Sequence, residues 1–128
     1  MQALFWIGLG SAAGGIARHL VSLSVSARFG EAFPWGTLVV NVVGSFLIAL
    51  VAGLADPSSR LMVPAAARQF LAVGVMGGFT TFSSFSLQTL NLLRDGQLAY
   101  AGLNVGLSLL LCLIGAWLGL QAASAIAS

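Results

Sequence analysis

Residues 74–86 read Gly-Val-Met-Gly-Gly-Phe-Thr-Thr-Phe-Ser-Ser-Phe-Ser, and this stretch decides how the rest of the chain is interpreted. It places glycines, hydroxyls and regularly spaced phenylalanines in the middle of an uncharged run of membrane-spanning length. A helix that only faces lipid does not need these groups. Inside hydrocarbon, an interrupted backbone is tolerated only where protein or water satisfies its polar groups. We therefore interpret the stretch as a pathway or an ion site.

The composition around this stretch is that of a membrane protein. Hydrophobic residues make up 59% of the 128 residues, charged residues only 6%, and the mean hydropathy is +1.02, whereas soluble domains are about a quarter charged. A membrane-spanning helix needs roughly 20 mainly apolar residues. The gaps between charges therefore predict a single all-α membrane domain, residues 1–128, with four spans. These spans are expected at about 3–21, 36–54, 66–93 and 98–120.

The connections are predicted from charges and turn residues. Residues 22–34 form a polar connection, residues 56–60 (Asp-Pro-Ser-Ser-Arg) a loop, and residues 94–96 (Arg-Asp-Gly) a tight turn. The N-terminal apolar run has no basic region before it, so we do not expect a cleaved signal peptide.

Arginines are balanced between the two sides of the membrane. Arg60 and Arg68 fall on the side of the termini, Arg28 and Arg94 fall on the other, and Arg18 lies near the end of the first span. Because arginine bias normally fixes orientation, a chain without it can insert both ways up. Antiparallel pairing of two copies is therefore plausible.

Small residues recur at a four-residue spacing that lets membrane helices approach closely. Close packing is the simplest explanation for most of these glycine pairs. Four spans of this size enclose little space, so a pore would need at least a dimer. The pairs are Gly10 with Gly14, Gly74 with Gly78, Gly102 with Gly106, and Gly115 with Gly119.

Phenylalanines in the third span form one ridge if the segment is helical. Phe79, Phe82 and Phe85 repeat every three residues, with Thr and Ser between them. Such a stripe most often serves packing, and the hydroxyls can simply bond the carbonyl one turn earlier. However, ring edges are electropositive and hydroxyls donate hydrogen bonds, so together they can attract a small anion.

Two amides lie inside uncharged runs, where an unpaired polar group is costly. Asn41 lies one turn from Thr37, and Asn104 lies one turn from Ser108, so each pair can line one helix face. The alternatives are hydrogen bonding between helices and the lining of a cavity. Similarly, Arg18 beside His19 is either an anchor at the membrane surface or part of a basic vestibule.

Other functions find little support in the residues. One histidine, scattered serines and three acids outside the spans give no ordered catalytic set, so we do not expect an enzyme. Five arginines without lysine make no basic stripe for nucleic acid.

The residues resemble one family, the Fluc fluoride channels, also called CrcB. The resemblance covers nearly the whole chain, and the string in the third span is its most specific part. It rests on residues 10–18 (a glycine-rich span ending in Arg), 34–41 (Pro-Trp-Gly-Thr-Leu-Val-Val-Asn), 77–86, and Tyr100 through Asn104 to Ser108.

The resemblance implies an antiparallel homodimer in a bacterial cytoplasmic membrane, with two fluoride pathways. It implies that the third helix is broken near its middle. It also implies that the protein relieves fluoride toxicity. It implies that Phe82 and Phe85 present ring edges to fluoride and that Asn41 donates to it. It extends a polar track through Ser83, Ser84, Asn104 and Ser108. It also implies a structural sodium ion held by the backbone carbonyls of Gly77 and Thr80.

Two rival functions share the size of the chain. Small dual-topology multidrug/proton exporters resemble one another in a glutamate within the first span, and residues 3–21 contain no acid. A non-transporting assembly subunit would explain the glycine pairs but not Asn41, Asn104 and the hydroxyls.

Overall fold

The computed structural model describes residues 1–59 and 61–127, and the regular structure in these residues is helical throughout. Four helices are long and apolar enough to cross a membrane, so the predicted all-α, four-span architecture is confirmed. Arg60, which was counted in the arginine balance and in the loop at residues 56–60, lies outside the described residues. The elements are α1 (Gln2–Phe29), α2 (Trp35–Leu54), α3 (Ala65–Arg68), a π-helical segment (Gln69–Met76), α4 (Gly77–Phe79), α5 (Phe82–Arg94) and α6 (Leu98–Ala127).

The first and last helices are longer than the predicted spans. Helix α1 continues to Phe29, so most of the connection expected at residues 22–34 is helical, and α6 continues to Ala127. The predicted spans were set by membrane thickness, whereas a helix ends at a stop signal in the sequence. Residues 22–29 contain no glycine or proline. The first stop is Gly30, with a φ of 81° that favours glycine.

The third span changes its backbone conformation along its length. After α3 the π-helical segment follows, a form that often marks functional sites, and then the short helix α4. Thr80 (φ −84°, ψ 157°) and Thr81 (φ −151°, ψ 115°) are extended. Helix α5 begins after Thr81, whose hydroxyl oxygen accepts a hydrogen bond from the Ser84 N–H at 3.1 Å and so caps the helix.

The turn after α5 is the tight turn expected at residues 94–96. Gly96 has a φ of 77°, and the N–H of Gln97 donates to the Leu92 carbonyl at 2.8 Å. The Gly96 N–H donates to the Leu93 carbonyl at 3.1 Å. These two bonds form a Schellman motif, which satisfies carbonyls at the end of a helix and requires a residue tolerant of positive φ.

Glycines let α1 lie against the third span. A Cβ atom built on Gly14 would overlap the Val75 carbonyl oxygen, and one built on Gly78 would lie 2.5 Å from the Ser11 carbonyl oxygen. Residues further along α1 contact residues further along the third span, so the two segments run parallel. Only glycine fits at these backbone-to-backbone contacts.

Helix α2 lies against α6 in the same way. A Cβ atom on Gly119 would overlap the Phe46 carbonyl oxygen, and one on Gly115 would lie 3.1 Å from the Val42 carbonyl oxygen. By contrast, a Cβ atom on Gly102 or Gly106 has nothing within 4 Å. Three of the four predicted glycine pairs therefore pack inside the chain, and the pair on the first half of α6 does not.

The apolar core is small and lies where α1, α2 and the third span meet. Its buried members are Val40, Met76 and Phe79. Large apolar side chains elsewhere point outward, for example Leu4, which is 67% exposed. This distribution suits a chain whose outer surface is in contact with lipid.

Candidate functional site

Two cavities meet at the extended residues of the third span. The outer cavity, of ≈ 690 Å³, opens at the end of the molecule where α1 ends and α2 begins. The second, which we call the inner cavity because it lies nearer the middle of the spans, is an open groove of ≈ 350 Å³ between α2, α5 and α6. Thr81 lines both cavities and is 7% exposed, so its side chain lies at their boundary.

The inner cavity brings together predicted site residues from three helices. Asn41 of α2, Phe82 and Phe85 of α5 and Ser108 of α6 all line it. The two rings lie against each other, with their centroids 5.3 Å apart and their planes inclined at 47°. Cys112, one turn beyond Ser108, also lines this cavity.

The outer cavity contains the predicted vestibule residue Arg18 together with Ser84. Arg18 and His19 are its basic side chains, and Glu31 and Asp95 are its acidic ones. The charge of this cavity is therefore mixed, and a basic vestibule was one of the two interpretations that the sequence left open for Arg18 and His19. Gln88 and Tyr100 add polar groups. Gln88 follows Phe85 by three residues, so it continues the three-residue spacing of the phenylalanines. This spacing was the signal by which the sequence could have placed Gln88 with the candidate site, and it was missed.

Asn41 ties α2 to the extended part of the third span. Its Nδ2 donates to the Thr81 carbonyl at 2.9 Å, and its Oδ1 accepts from the Thr81 N–H at 2.7 Å. Both polar groups of one backbone residue are thereby satisfied by one side chain. This pairing stabilises extended backbone inside a span, where an unpaired N–H or carbonyl is expensive. One N–H of the Asn41 amide remains for another acceptor.

Asn104 forms a bridge between α5 and α6. It is 1% exposed, its Nδ2 donates to the Thr89 hydroxyl oxygen at 2.8 Å, and that hydroxyl donates to the Phe85 carbonyl at 2.7 Å. The Ser108 hydroxyl lies 3.5 Å from Asn104 Oδ1. Asn104 itself lines neither cavity. Thr89, which the sequence reasoning did not select, therefore connects the amide on α6 to the backbone of Phe85.

Two further predicted residues lie outside both cavities. Ser83 is exposed on α5, with its hydroxyl 3.3 Å from that of Thr81. Gly77 is exposed too, and a Cβ atom built on it has nothing within 4 Å. Thr80 lines the inner cavity, and its own hydroxyl donates to the Met76 carbonyl at 3.0 Å.

Four membrane-spanning helices around polar and aromatic cavities define a multi-pass membrane protein. The sequence profile described as "CrcB-like protein, Camphor Resistance (CrcB)" matches residues 5–120 of this chain. The chain belongs to this family, as its sequence had suggested.

Relatives of known name agree with the family assignment. The chain is 57% identical over 119 residues to the fluoride-specific ion channel FluC of Opitutus terrae, covering 93% of this chain and 90% of the relative. It is 51% identical over 121 residues to the protein of the same name from Methylocella silvestris, covering 94% and 92% of the two chains. It is 46% identical over 123 residues to that of Geobacter sulfurreducens, covering 96% and 98%. The family is one of ion channels, so the expectation that the chain is not an enzyme is confirmed.

Proposed function

We propose that this chain is a fluoride-selective passive ion channel that exports fluoride from the bacterial cytoplasm and so lowers its toxicity. The observation that carries the proposal is the inner cavity, where two phenylalanine rings, an amide and a hydroxyl meet within uncharged spans. The names of the relatives support the choice of fluoride. A multidrug/proton exporter is not favoured, since residues 3–21 contain no acid.

The groups around the inner cavity suit a small anion. Ring edges of Phe82 and Phe85 carry partial positive charge, and Asn41 keeps one N–H free of protein partners. The Ser108 hydroxyl lies 3.5 Å from Asn104 Oδ1, which is a weak hydrogen bond at best. An anion therefore gains this hydroxyl at little cost. A narrow path of such donors replaces the hydration shell of fluoride, and the larger chloride fits badly.

The proposed route runs from the outer cavity, past Thr81, into the inner cavity. Ser84 and Arg18 lie on its outer part, where Arg18 attracts anions. In our proposal Asn104 and Ser83 act from beside the route, because neither lines a cavity. The spans predicted from the sequence contain no Asp or Glu for proton coupling. Flow down the electrochemical gradient follows.

A second copy in antiparallel orientation completes this site in our proposal. Phe82 is 75% exposed, and Ser83 and Gly77 beside it are exposed as well. Hydroxyls and ring edges that serve an anion need protein around them rather than lipid. The balanced arginines support opposite orientations, since neither side of the membrane is favoured. The dimer then contains two pathways, and the extended Thr80 and Thr81 form the functional break in each third helix.

The backbone before this break fits a structural sodium ion. Hard cations prefer oxygen ligands, and the extended conformation of Thr80 takes its carbonyl out of the helical ladder. Gly77 offers an exposed backbone one turn earlier. In the dimer, the carbonyls of Gly77 and Thr80 from both copies would hold the ion, and a cation there offsets the charge of nearby anions.

Ion efflux from liposomes tests the proposed function. The purified protein is reconstituted with fluoride inside, and release is followed with a fluoride electrode. The matched experiment uses chloride. Rapid fluoride release with negligible chloride release is the expected result. No fluoride release from folded, inserted protein would refute the proposal.

Labelling of one introduced cysteine tests the antiparallel orientation. Gln97→Cys in a Cys112→Ser background places the single thiol at the turn before α6, where Gln97 is exposed. We expect about half of the chains in intact cells to react with a membrane-impermeant maleimide from outside. Reaction of all or none of the chains contradicts dual topology.

A further inference from the structure

We propose that Asn41 and Thr81 are positioning residues for the cation site, because their side chains take two backbone N–H groups away from the carbonyls of Gly77 and Thr80. This inference rests on the proposed function, which assigns those carbonyls to sodium. It gives Asn41 a second role besides donation to an anion. It also gives a role to Thr81, which the resemblance left without one.

The first step concerns Gly77. In a continuous α-helix its carbonyl accepts from the N–H four residues later, which belongs to Thr81. Here the Thr81 N–H donates to Asn41 Oδ1 at 2.7 Å instead. The Asn41 Nδ2 donates to the Thr81 carbonyl at 2.9 Å, so the exchange leaves Thr81 fully bonded. Asn41 thus removes the donor that would otherwise close the helix over the Gly77 carbonyl.

The second step concerns Thr80 and has the same logic. Its helical donor is the N–H of Ser84, four residues later. That N–H donates to the Thr81 hydroxyl oxygen at 3.1 Å, as in other helix N-caps. The Thr80 carbonyl is left outside the ladder, while its own N–H remains bonded to the Met76 carbonyl at 3.0 Å. One residue, Thr81, therefore takes part in freeing both carbonyls.

The two steps link the cation site to the anion route. Asn41 lines the inner cavity, and Thr81 lines both cavities. The side chains that hold the backbone open are thus the ones an anion passes. Sodium affinity and fluoride flux then depend on the same two residues for different reasons, and these reasons are separable by mutation.

The experiment follows the melting temperature of the purified dimer as sodium replaces choline, and the sodium requirement is the concentration that gives a fixed rise in this temperature. A ligand that binds only the folded state raises this temperature. We expect Thr81→Val, which keeps the shape but loses the hydroxyl, to raise that concentration about tenfold, the size of one lost neutral hydrogen bond. Asn41→Leu is expected to raise it at least as much.

Matched variants separate positioning from general damage. Thr81→Ser keeps the capping oxygen and is expected to restore the wild-type sodium requirement. Ser86→Ala removes a hydroxyl that donates to the Phe82 carbonyl, takes no N–H, and is expected to leave the sodium requirement unchanged.

Three outcomes overturn the inference. The first is that folded Thr81→Val and Asn41→Leu keep the wild-type sodium requirement while their fluoride efflux is slowed. This result would assign both residues to the anion route alone. If those variants do not fold, a raised requirement in Thr81→Ser overturns it equally. A wild-type dimer that responds to sodium no more than to choline removes the cation site itself, and this result refutes the sodium part of the proposed function as well.

Discussion

A methyl group added at Gly14 tests how closely α1 and the third span approach. The new Cβ atom would overlap the Val75 carbonyl oxygen and lie 2.9 Å from both the Val75 carbonyl carbon and the Phe79 nitrogen. Ordinary contacts begin at 3.4 Å, so even the two 2.9 Å contacts require a separation of 0.5 Å (3.4 − 2.9). The overlapped atoms are backbone and cannot rotate aside, so the two segments must move apart.

The size of the effect follows from overpacking and helix propensity. Forcing an extra methyl group into a packed site costs about 1–3 kcal/mol, while replacing glycine by alanine in a helix regains up to about 1 kcal/mol. Gly8→Ala is the matched control, because a Cβ atom there has nothing within 4 Å. The propensity term is common to both variants. Their free energies of unfolding should therefore differ by about 1–3 kcal/mol, with Gly14→Ala less stable.

The free energy of unfolding is measured by titrating detergent micelles with SDS and following tryptophan fluorescence. Protein concentration is held equal for all variants, because the dimer that we propose would make stability depend on it. If Gly14→Ala and Gly8→Ala agree to within about 0.5 kcal/mol, the size of ordinary surface substitutions, the two segments do not approach as described and the reasoning fails.

Three further predictions address the rings, the buried amide and one surface carboxylate. Replacing Phe82 or Phe85 by Ile should slow fluoride efflux while size-exclusion chromatography shows that the proposed dimer stays intact; unchanged efflux in both variants would assign the rings to packing. Asn104→Leu should lower the free energy of unfolding by about 1 kcal/mol, typical of a hydrogen bond between membrane helices, and an unchanged free energy would contradict the bridge to α5. The hydroxyl and N–H of Ser58 donate to the Asp56 carboxylate and lower its pKa. These hydrogen bonds therefore stabilise the folded state above the ordinary pKa of 3.8, and their contribution is lost as pH falls through the lowered value. Ser58→Ala should raise the Asp56 pKa in an NMR titration, and an unchanged value refutes the assignment.

The four spans were predictable because the bilayer imposes them. Each uncharged run is long enough to cross, and the structure has a helix in each. The helix ends were less well predicted, since the thickness of a membrane says where a span must lie and not where a helix must stop. Gly30 is the signal in the sequence for the end of α1, and it lies inside the predicted connection at residues 22–34.

The candidate site was predictable in its residue types and only partly in its contacts. Phe82 and Phe85 were found from their spacing, and they do line the inner cavity. Asn41 was selected as a costly buried amide, but its partner, the Thr81 backbone, is 40 residues away. Asn104 stays a prediction as part of a polar track; the structure shows that it is buried and donates to the Thr89 hydroxyl oxygen, 15 residues away. Pairings over such separations depend on which helices are neighbours, and no local pattern encodes them.

The sequence by itself determined that this chain spans a membrane four times, that glycine permits close helix contacts, and that the third span carries unusual chemistry. Hydrophobicity and the lack of charge act locally, so a single sequence reveals them. Only the tertiary structure decided that Asn41 meets Thr81, which N–H groups leave the helical ladder, and where the two cavities meet. These features require α2 to lie beside the extended residues of the third span, and that position is set by helix packing rather than by the residues of either segment alone.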